Sequence, residues 1–491
     1  MIKVRARVHD KFSLEFKVWF EKNEIPDIGK EALYRLESWI FLPDSLDINA
    51  ITYSREQFYS NIKSYYRAIT PVYSLESLAA VATGAGHGKS SYEKNTPLEF
   101  LSNAVLNLIE DRSKVNIADY EYQIKMYCAI FKSAMRERYH ALKEEMQQVP
   151  VADKTKLAER FRNSVYDVLR SYKELSVRLS GEINEKLYAP FLLGEEFIIN
   201  LAELYFYKSY NFTGDGVRPL VQIEQYKEER GYRVLHRGDK WGNSKTVYRW
   251  SVLKKYIESD LFLKVDKRKD GVMAEQVYYS LAAGLSMIFA TVISFSFQQK
   301  YGNFTMPFFI ALVISYMLKD RIKELVRYAF ASNRKLKYFD NKIKLAVKDR
   351  VIGESKEGFD IVPQSQIPHA INAARGRSHT LDMENTISRE NVLFYRNLVK
   401  IDRACLSATS DYSIEGINEI LFFNLSDYVK KMGNPQLPYF IIENETVSEL
   451  LVDKVYYINF VFQFSCNDGS YLKRYRITLN RSGILDLKEM E

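Results

Sequence analysis

A chain of 491 residues, 46% hydrophobic and 27% charged, has a globular composition and is too long for a single core, which excludes a disordered or low-complexity chain. Its 70 basic residues against 62 acidic give a net charge of +8, which suits an anionic membrane surface and argues against nucleic acid as a partner. The three cysteines, Cys128, Cys405 and Cys466, are far apart and form no CxxC pair, which disfavours a disulfide scaffold and points to a reducing compartment.

The first ten residues carry charges and no apolar run behind them, so no cleaved signal peptide is expected. Lys11–Phe20 alternates apolar residues at every second position, as a half-buried strand does. A short apolar run, Trp39–Leu42, closes on Pro43, and Tyr53–Tyr66 follows with helical spacing, so residues 1–75 read as a mixed α/β region. Thr83–Ser90 (TGAGHGKS) looks like a phosphate-binding loop but has Thr83 where the first glycine belongs; a glycine-rich loop without nucleotide is the expectation.

Residues 76–213 read as a helical bundle, with glycine rare after Pro97 and breaks expected near Pro150 and Pro190. Glu195, Glu196 and Glu203 lie in an aromatic-rich part of it; Glu196 and Glu203, seven apart on one face, are a candidate pair for acid–base work, although helix-face carboxylates are more often solvated or paired with lysine. Residues 214–276 read as a juxtamembrane β-hairpin and helix, with Tyr232–His236 and Lys245–Trp250 bracketing GDKWGN. Aromatic and basic side chains interleave through this stretch, as they do at headgroup level.

Residues 277–318 predict a transmembrane helical hairpin. Val277–Phe297 is free of charge over 21 residues, and a helix of that length covers about 31 Å, the thickness of a bilayer core. The second apolar stretch, Phe304–Leu318, has only 15 residues, a length that also suits a re-entrant or interfacial segment. Basic residues flank both outer ends: Lys267, Arg268 and Lys269 before, and Lys319, Arg321, Lys323 and Arg327 after, whereas the intervening loop holds only Lys300. The positive-inside rule places both flanks in the cytoplasm, where these seven residues are candidates for contact with anionic lipid. Ala282, Ser286, Ala290 and Ser294 recur every four residues, and Ala311 and Ser315 repeat the spacing, so these six are the candidates for packing between spans.

Residues 319–352 predict one basic amphipathic stalk helix, with Ile343 and Val347 on its apolar stripe. Residues 353–491 predict a separate C-terminal β-rich domain, in which Val455–Ser465 and Tyr471–Leu479 flank the turn Cys466–Gly469. The expected fold is therefore an α+β multidomain membrane protein with a cytoplasmic helical bundle, a two-helix transmembrane hairpin and a C-terminal antiparallel β domain. No catalytic residue, cofactor or metal ligand is singled out: none of the six histidines stands four residues from another, and no nucleophile motif occurs. The expected function is a membrane-anchored, cytoplasm-facing scaffold or sensor, placed in a bacterial inner membrane with both termini in the cytoplasm. Its expected partners are the lipid bilayer, anionic headgroups, another protein and further copies of itself. The alternatives are an oligomeric two-span pore or membrane-perturbing effector, and a membrane-bound enzyme assembled from distant residues.

Overall fold

The computed structural model describes residues 3–21, 31–79, 95–179, 181–213, 217–303, 305–337, 339–376, 390–414, 416–443, 446–466 and 469–490. The chain forms two units. Met1–Arg67, Lys264–Thr409 and Gly416–Glu491 make a β-rich unit; Ala68–Leu263 and Ser410–Glu415 make a helical one. The glycine-rich motif at 83–90 lies outside the described residues.

The chain begins with β1 (Lys3–Asp10), β2 (Ser13–Glu21) and β3 (Glu31–Pro43). Short helix α1 (Arg55–Asn61) follows, opened by a capping box in which the Ser54 hydroxyl accepts from Gln57 N and the Gln57 side chain accepts from Ser54 N. The helical spacing expected through Tyr66 stops there: Ile62, Tyr66 and Ala68 turn inward in strand β4 (Ile62–Ala68).

In the helical unit, Thr96 caps α2 (Pro97–Glu110) and Ser113 caps α3 (Lys114–Gln148). Then come α4 (Val151–Leu179), α5 (Glu185–Thr213), α6 (Val217–Glu229) and α7 (Lys240–Glu258). The break expected at Pro190 lies instead around Gly181, whose φ of +89° ends a turn that a side chain would strain. Pro190 stands inside α5. The expected hairpin at 232–250 is also absent: Asp239 caps α7 by accepting from Gly242 N at 2.8 Å, so GDKWGN starts a helix instead of turning a ribbon. α5 packs on α3, α4, α6 and α7. Its close approach to α3 and α4 is at Gly194, where an added Cβ would meet Ile124 Cγ2 at 2.9 Å and Cys128 Sγ at 3.2 Å.

The β-rich unit resumes with β5 (Lys264–Lys269), α8 (Val272–Tyr301), α9 (Met306–Lys337), β6 (Asn341–Val347) and β7 (Arg350–Val362). The stalk helix expected to reach residue 352 ends at Lys337. Ile343, Leu345 and Val347 are buried at alternate positions of a strand; Ile343 and Val347, four apart, fit either period. After α10 (His369–Arg375) come β8 (Glu390–Asp402), α11 (Arg403–Ser407), β9 (Gly416–Asn424) and α12 (Ser426–Lys430). Strands β10 (Gln436–Glu443), β11 (Thr446–Asp453), β12 (Tyr456–Cys466), β13 (Gly469–Asn480) and β14 (Gly483–Met490) complete the chain.

An eight-stranded sheet runs β14-β13-β12-β3-β8-β7-β6-β5, and a four-stranded one β1-β2-β9-β4. The C-terminal strands are antiparallel, with Phe464 opposite Tyr471 in the β12–β13 hairpin. The N-terminal strand β3 sits between β12 and β8, so regions expected to be separate domains at 1–75 and 353–491 share one sheet. Rings fill the space between the two sheets: Phe16 lies 5.2 Å from Phe460, and Phe423 5.5 Å from it. The pair β10–β11 joins neither sheet and exposes Phe440, Ile442 and Val447.

Candidate membrane hairpin and its root

Helices α8 and α9 are an insertion between two paired edge strands. β5 pairs with β6 in antiparallel register, Lys269 opposite Asn341, and the 71 residues 270–340 leave and return at that point. Among the described residues, Glu275–Tyr301 is the one helix long and apolar enough to cross a membrane. Its apolar side chains point outward: Leu281, Leu285, Ile288 and Phe295 are all exposed. Helix α9 falls short of that test because its charge-free part ends at Leu318.

The two helices pack on each other. Ala282, Ser286 and Ala290 on α8 and Ala311 and Ser315 on α9 are buried, whereas Ser294 is half-buried and donates to Ala290 O at 2.9 Å. The Arg327 guanidinium lies 4.9 Å over the Tyr279 ring, which fixes the register. Counting from that contact, Leu318 falls beside Ile288. The stretch that is charge-free on both helices, 288–299 beside 307–318, is therefore only about 18 Å long. The apolar half of α8 nearest the sheet runs beside Lys319, Asp320, Arg321, Lys323 and Glu324 of α9.

The seven basic residues fall into two groups. Lys267, Arg268 and Lys269 are on β5, which is exposed throughout. Lys267 is turned to the sheet, where its ammonium contacts the Glu357 carboxylate and lies 4.8 Å over the Tyr59 ring. Arg268 pairs with Asp266 at 2.8 Å. On α9, Lys319 sits 3.7 Å over the Tyr316 ring and Arg327 pairs with Glu324 at 3.1 Å; Arg321 is exposed and Lys323 half-buried.

The root of the hairpin is a buried polar network that sequence reasoning passed over. Glu357 on β7 is 2% exposed and receives Asn341 Nδ2 at 2.8 Å from β6, Lys267 from β5 and the Tyr395 hydroxyl at 3.3 Å from β8. One carboxylate is thus gripped by both limbs of the hairpin. Beside it, Asp340 takes Arg55 Nη1 at 2.6 Å, the Tyr59 hydroxyl at 3.0 Å and Phe359 N at 2.8 Å. Asp270 N donates to Asp340 O at 3.0 Å, closing the feet of α8 and α9 together. Arg55 also reaches Asp360 at 2.6 Å, whose carboxyl is raised by burial against the pull of that arginine. Deeper in the core, Glu419 on β9 is fully buried. It accepts from Ser64 Oγ at 2.6 Å, Tyr66 Oη at 3.1 Å and Asn397 Nδ2 at 2.8 Å, and burial pushes it up to about 7 against those donors.

The acids marked in the helical unit are all paired. Glu196 holds Arg249 through two bonds of 2.7 and 2.6 Å, Glu203 takes Lys227 at 2.8 Å, and Glu195 takes the hydroxyls of Tyr226 and Tyr232, each at 2.7 Å. Of the aromatic-basic stretch at 226–250, Tyr226, Tyr232, Arg249 and Trp250 face α5, Trp250 stacked 5.3 Å from Phe197, whereas Arg233, Arg237, Lys240, Trp241 and Tyr248 are exposed. No group of three His, Cys, Asp or Glu suited to a metal ion occurs among the described residues. Cys128 is buried, its thiol raised by desolvation and directed at Gly194 O at 3.8 Å. Neither a family model, nor a curated protein, nor a solved structure matches this chain.

Proposed function

We propose that this protein is a membrane-anchored scaffold or sensor, held in a bilayer by α8 and α9 and working on the cytoplasmic side. The single observation that carries the reading is the outward-facing apolar surface of α8, where Leu281, Leu285, Ile288 and Phe295 are 58–66% exposed. Leaving such surface in water costs about 1.5–3 kcal/mol per large side chain. The return of α9 to the strand next to β5 brings the chain back to the side it left, which fits an even number of crossings and supports two in this reading. The charge-free second stretch is short, and bilayer thinning with snorkelling of Lys319, Arg321 and Lys323 accommodates it. Because Lys267 is engaged by Glu357, anionic headgroups fall chiefly to Lys269 and the α9 residues.

The test is side-specific labelling in sealed vesicles with an impermeant maleimide, using Asn303→Cys at the tip and Asp349→Cys in the β6–β7 turn. Labelling of the two from opposite faces supports two crossings. Labelling from one face refutes them, and recovery of the chain in the aqueous phase of a detergent partition refutes anchoring altogether.

One observation favours a second reading, an oligomeric pore. Ionisable groups at membrane depth face protein or water, and the register sets the charged part of α9 beside the apolar part of α8. Several hairpins with α9 turned to a common axis would satisfy both. Ion flux from liposomes together with a stable oligomer in detergent supports it; a monomer without flux rejects it.

A further inference from the structure

We propose that the cleft between α4, α5 and α6 binds an elongated organic anion, with an acidic head, an apolar middle and a hydrogen-bonding group at the far end. The cleft has a volume of about 700 Å³, within the range of small-molecule sites. Its floor is Ile198 and Ile199 of α5 with Ile223 of α6, all three buried, so a ligand that enters exchanges water for aliphatic contact. The cleft lies wholly in the helical unit, and its use as a binding site does not rest on the membrane reading.

The polar groups on the wall define the two ends. Tyr166, Arg170 and Lys173 stand at i, i+4 and i+7 on α4, one face of the helix, so Tyr166 and Lys173 are about 10 Å apart along it. Tyr166 has its hydroxyl buried with no hydrogen-bond partner among the described residues, an orphan that a ligand's polar group would satisfy. At the other end the Lys173 ammonium lies 5.1 Å over the Tyr226 ring and makes no ion pair among the described residues. Arg170 is one turn earlier, with its nearest carboxylate, Asp167, at 3.9 Å.

The acids on the wall do not reverse this polarity. Glu195 is already engaged on both oxygens, by Tyr226 and Arg230 on one and Tyr232 on the other. A cationic ligand would have to displace one of those donors. The four charged residues of the lining cancel, Arg170 and Lys173 against Asp167 and Glu195; Arg230, outside the lining, pairs with Glu195, which leaves Lys173 as the cation with no carboxylate of its own among the described residues. The head of the ligand is therefore an acid near Lys173.

The full chain in discs of neutral lipid can be titrated with 3-(4-hydroxyphenyl)propionate, which has an acid head, a ring and a hydroxyl in that order and stays in water. Calorimetry should show binding, and the amine counterpart, tyramine, should bind at least 10-fold more weakly. Lys173→Ala should weaken the acid by roughly 10-fold, the loss of one charge-assisted contact. Tyr166→Phe should weaken it by about 3- to 5-fold and leave 3-phenylpropionate, which lacks the hydroxyl, unchanged. The proposal is overturned if the acid does not bind the wild-type chain at millimolar concentration. It is equally overturned if tyramine binds as tightly as the acid, or if folded Lys173→Ala and Tyr166→Phe proteins bind as wild type does. The first two comparisons use the unmodified chain, so a variant that fails to fold does not rescue the idea.

Discussion

Replacing Glu419 by glutamine isolates the energetic consequence of an acid placed on an inward-facing strand position. Glu419 alternates with Ile417, Leu421 and Phe423 on β9, all buried, and has been taken fully out of water. Desolvation raises it from the ordinary 4.5 to about 7, although Ser64, Tyr66 and Asn397 all favour its charged form and the nearby Glu357 adds to the rise. The unfolded chain gives up this proton near 4.5, whereas the native chain holds it until about 7. Between those values the native state binds more protons, so stability falls as the pH rises. The contribution is fully present below 4.5, is lost progressively, and is gone above about 7. A rise of that size corresponds to about 3 kcal/mol, with a slope no steeper than about 1.4 kcal/mol per pH unit.

The amide that replaces the carboxyl has no proton to lose, so the stability difference between wild type and Glu419→Gln should move by about 3 kcal/mol in favour of the variant from about pH 4.5 to 7.5. Urea unfolding of both proteins at half-unit pH steps, in one detergent, measures that difference directly and cancels the other titrating groups. At acid pH the variant should be the less stable one, because its amide meets the Asn397 Nδ2 donor that the carboxyl accepts at 2.8 Å. A difference that stays constant across the range would refute the reasoning, since it would mean that Glu419 titrates alike in both states.

Two further substitutions test the helical unit. Gly194→Ala should lower stability by about 1–3 kcal/mol, read as a fall in melting temperature, because the methyl would press on Ile124, on Cys128 and on a Tyr172 hydroxyl already committed to Phe191 O at 3.0 Å. Arg249→Ala leaves Glu196, 4% exposed, without its two-pronged partner. Since Arg249 is itself about half exposed, the cost should be about 2 kcal/mol in urea unfolding, below the usual range for a fully buried pair, and Arg249→Lys should recover less than half of it.

Elements with a long, clean period were legible from the chain. The alternation in β2, the charge-free stretch of α8 and the β12–β13 hairpin each carry a local signal that tertiary contacts reinforce. Two kinds of feature were not. Where a spacing of four fits both periods, as for Ile343 and Val347, only the pairing partner decides, and β5 and β7 flank that stretch as strands. The placement of β3 between β12 and β8 joins residues more than 300 positions apart, which no local pattern encodes. The root network had a signal that went unused. Glu357 and Glu419 each occupy an inward position in an alternating strand, in line with Ser355 and Phe359 or with Ile417 and Leu421. A carboxylate on the buried face of a strand needs partners, and the search for them leads to Lys267, Asn341, Tyr66 and Asn397. The cleft between α4, α5 and α6 had none, because Tyr166 and Lys173 look like any helix surface until α6 is laid opposite them.

The root also limits how the two long helices can answer the mismatch between them. α8 is apolar where the neighbouring part of α9 is charged, and an isolated pair of helices would relieve this by sliding until the apolar parts coincide. Here sliding is blocked at the base. A shift of one turn would move Lys269 off Asn341 and break the Asp270–Asp340 bond. It would also take Asn341 from Glu357, a buried carboxylate whose loss of partners costs about 3–5 kcal/mol when a charge is left unpaired. Thinning the bilayer by a few ångströms costs fractions of a kcal/mol per ångström, and a neighbouring hairpin would leave the sheet unstrained. On the membrane reading proposed above, the cheaper responses lie outside the chain: the register stays fixed, and lipid or a second copy would do the adjusting.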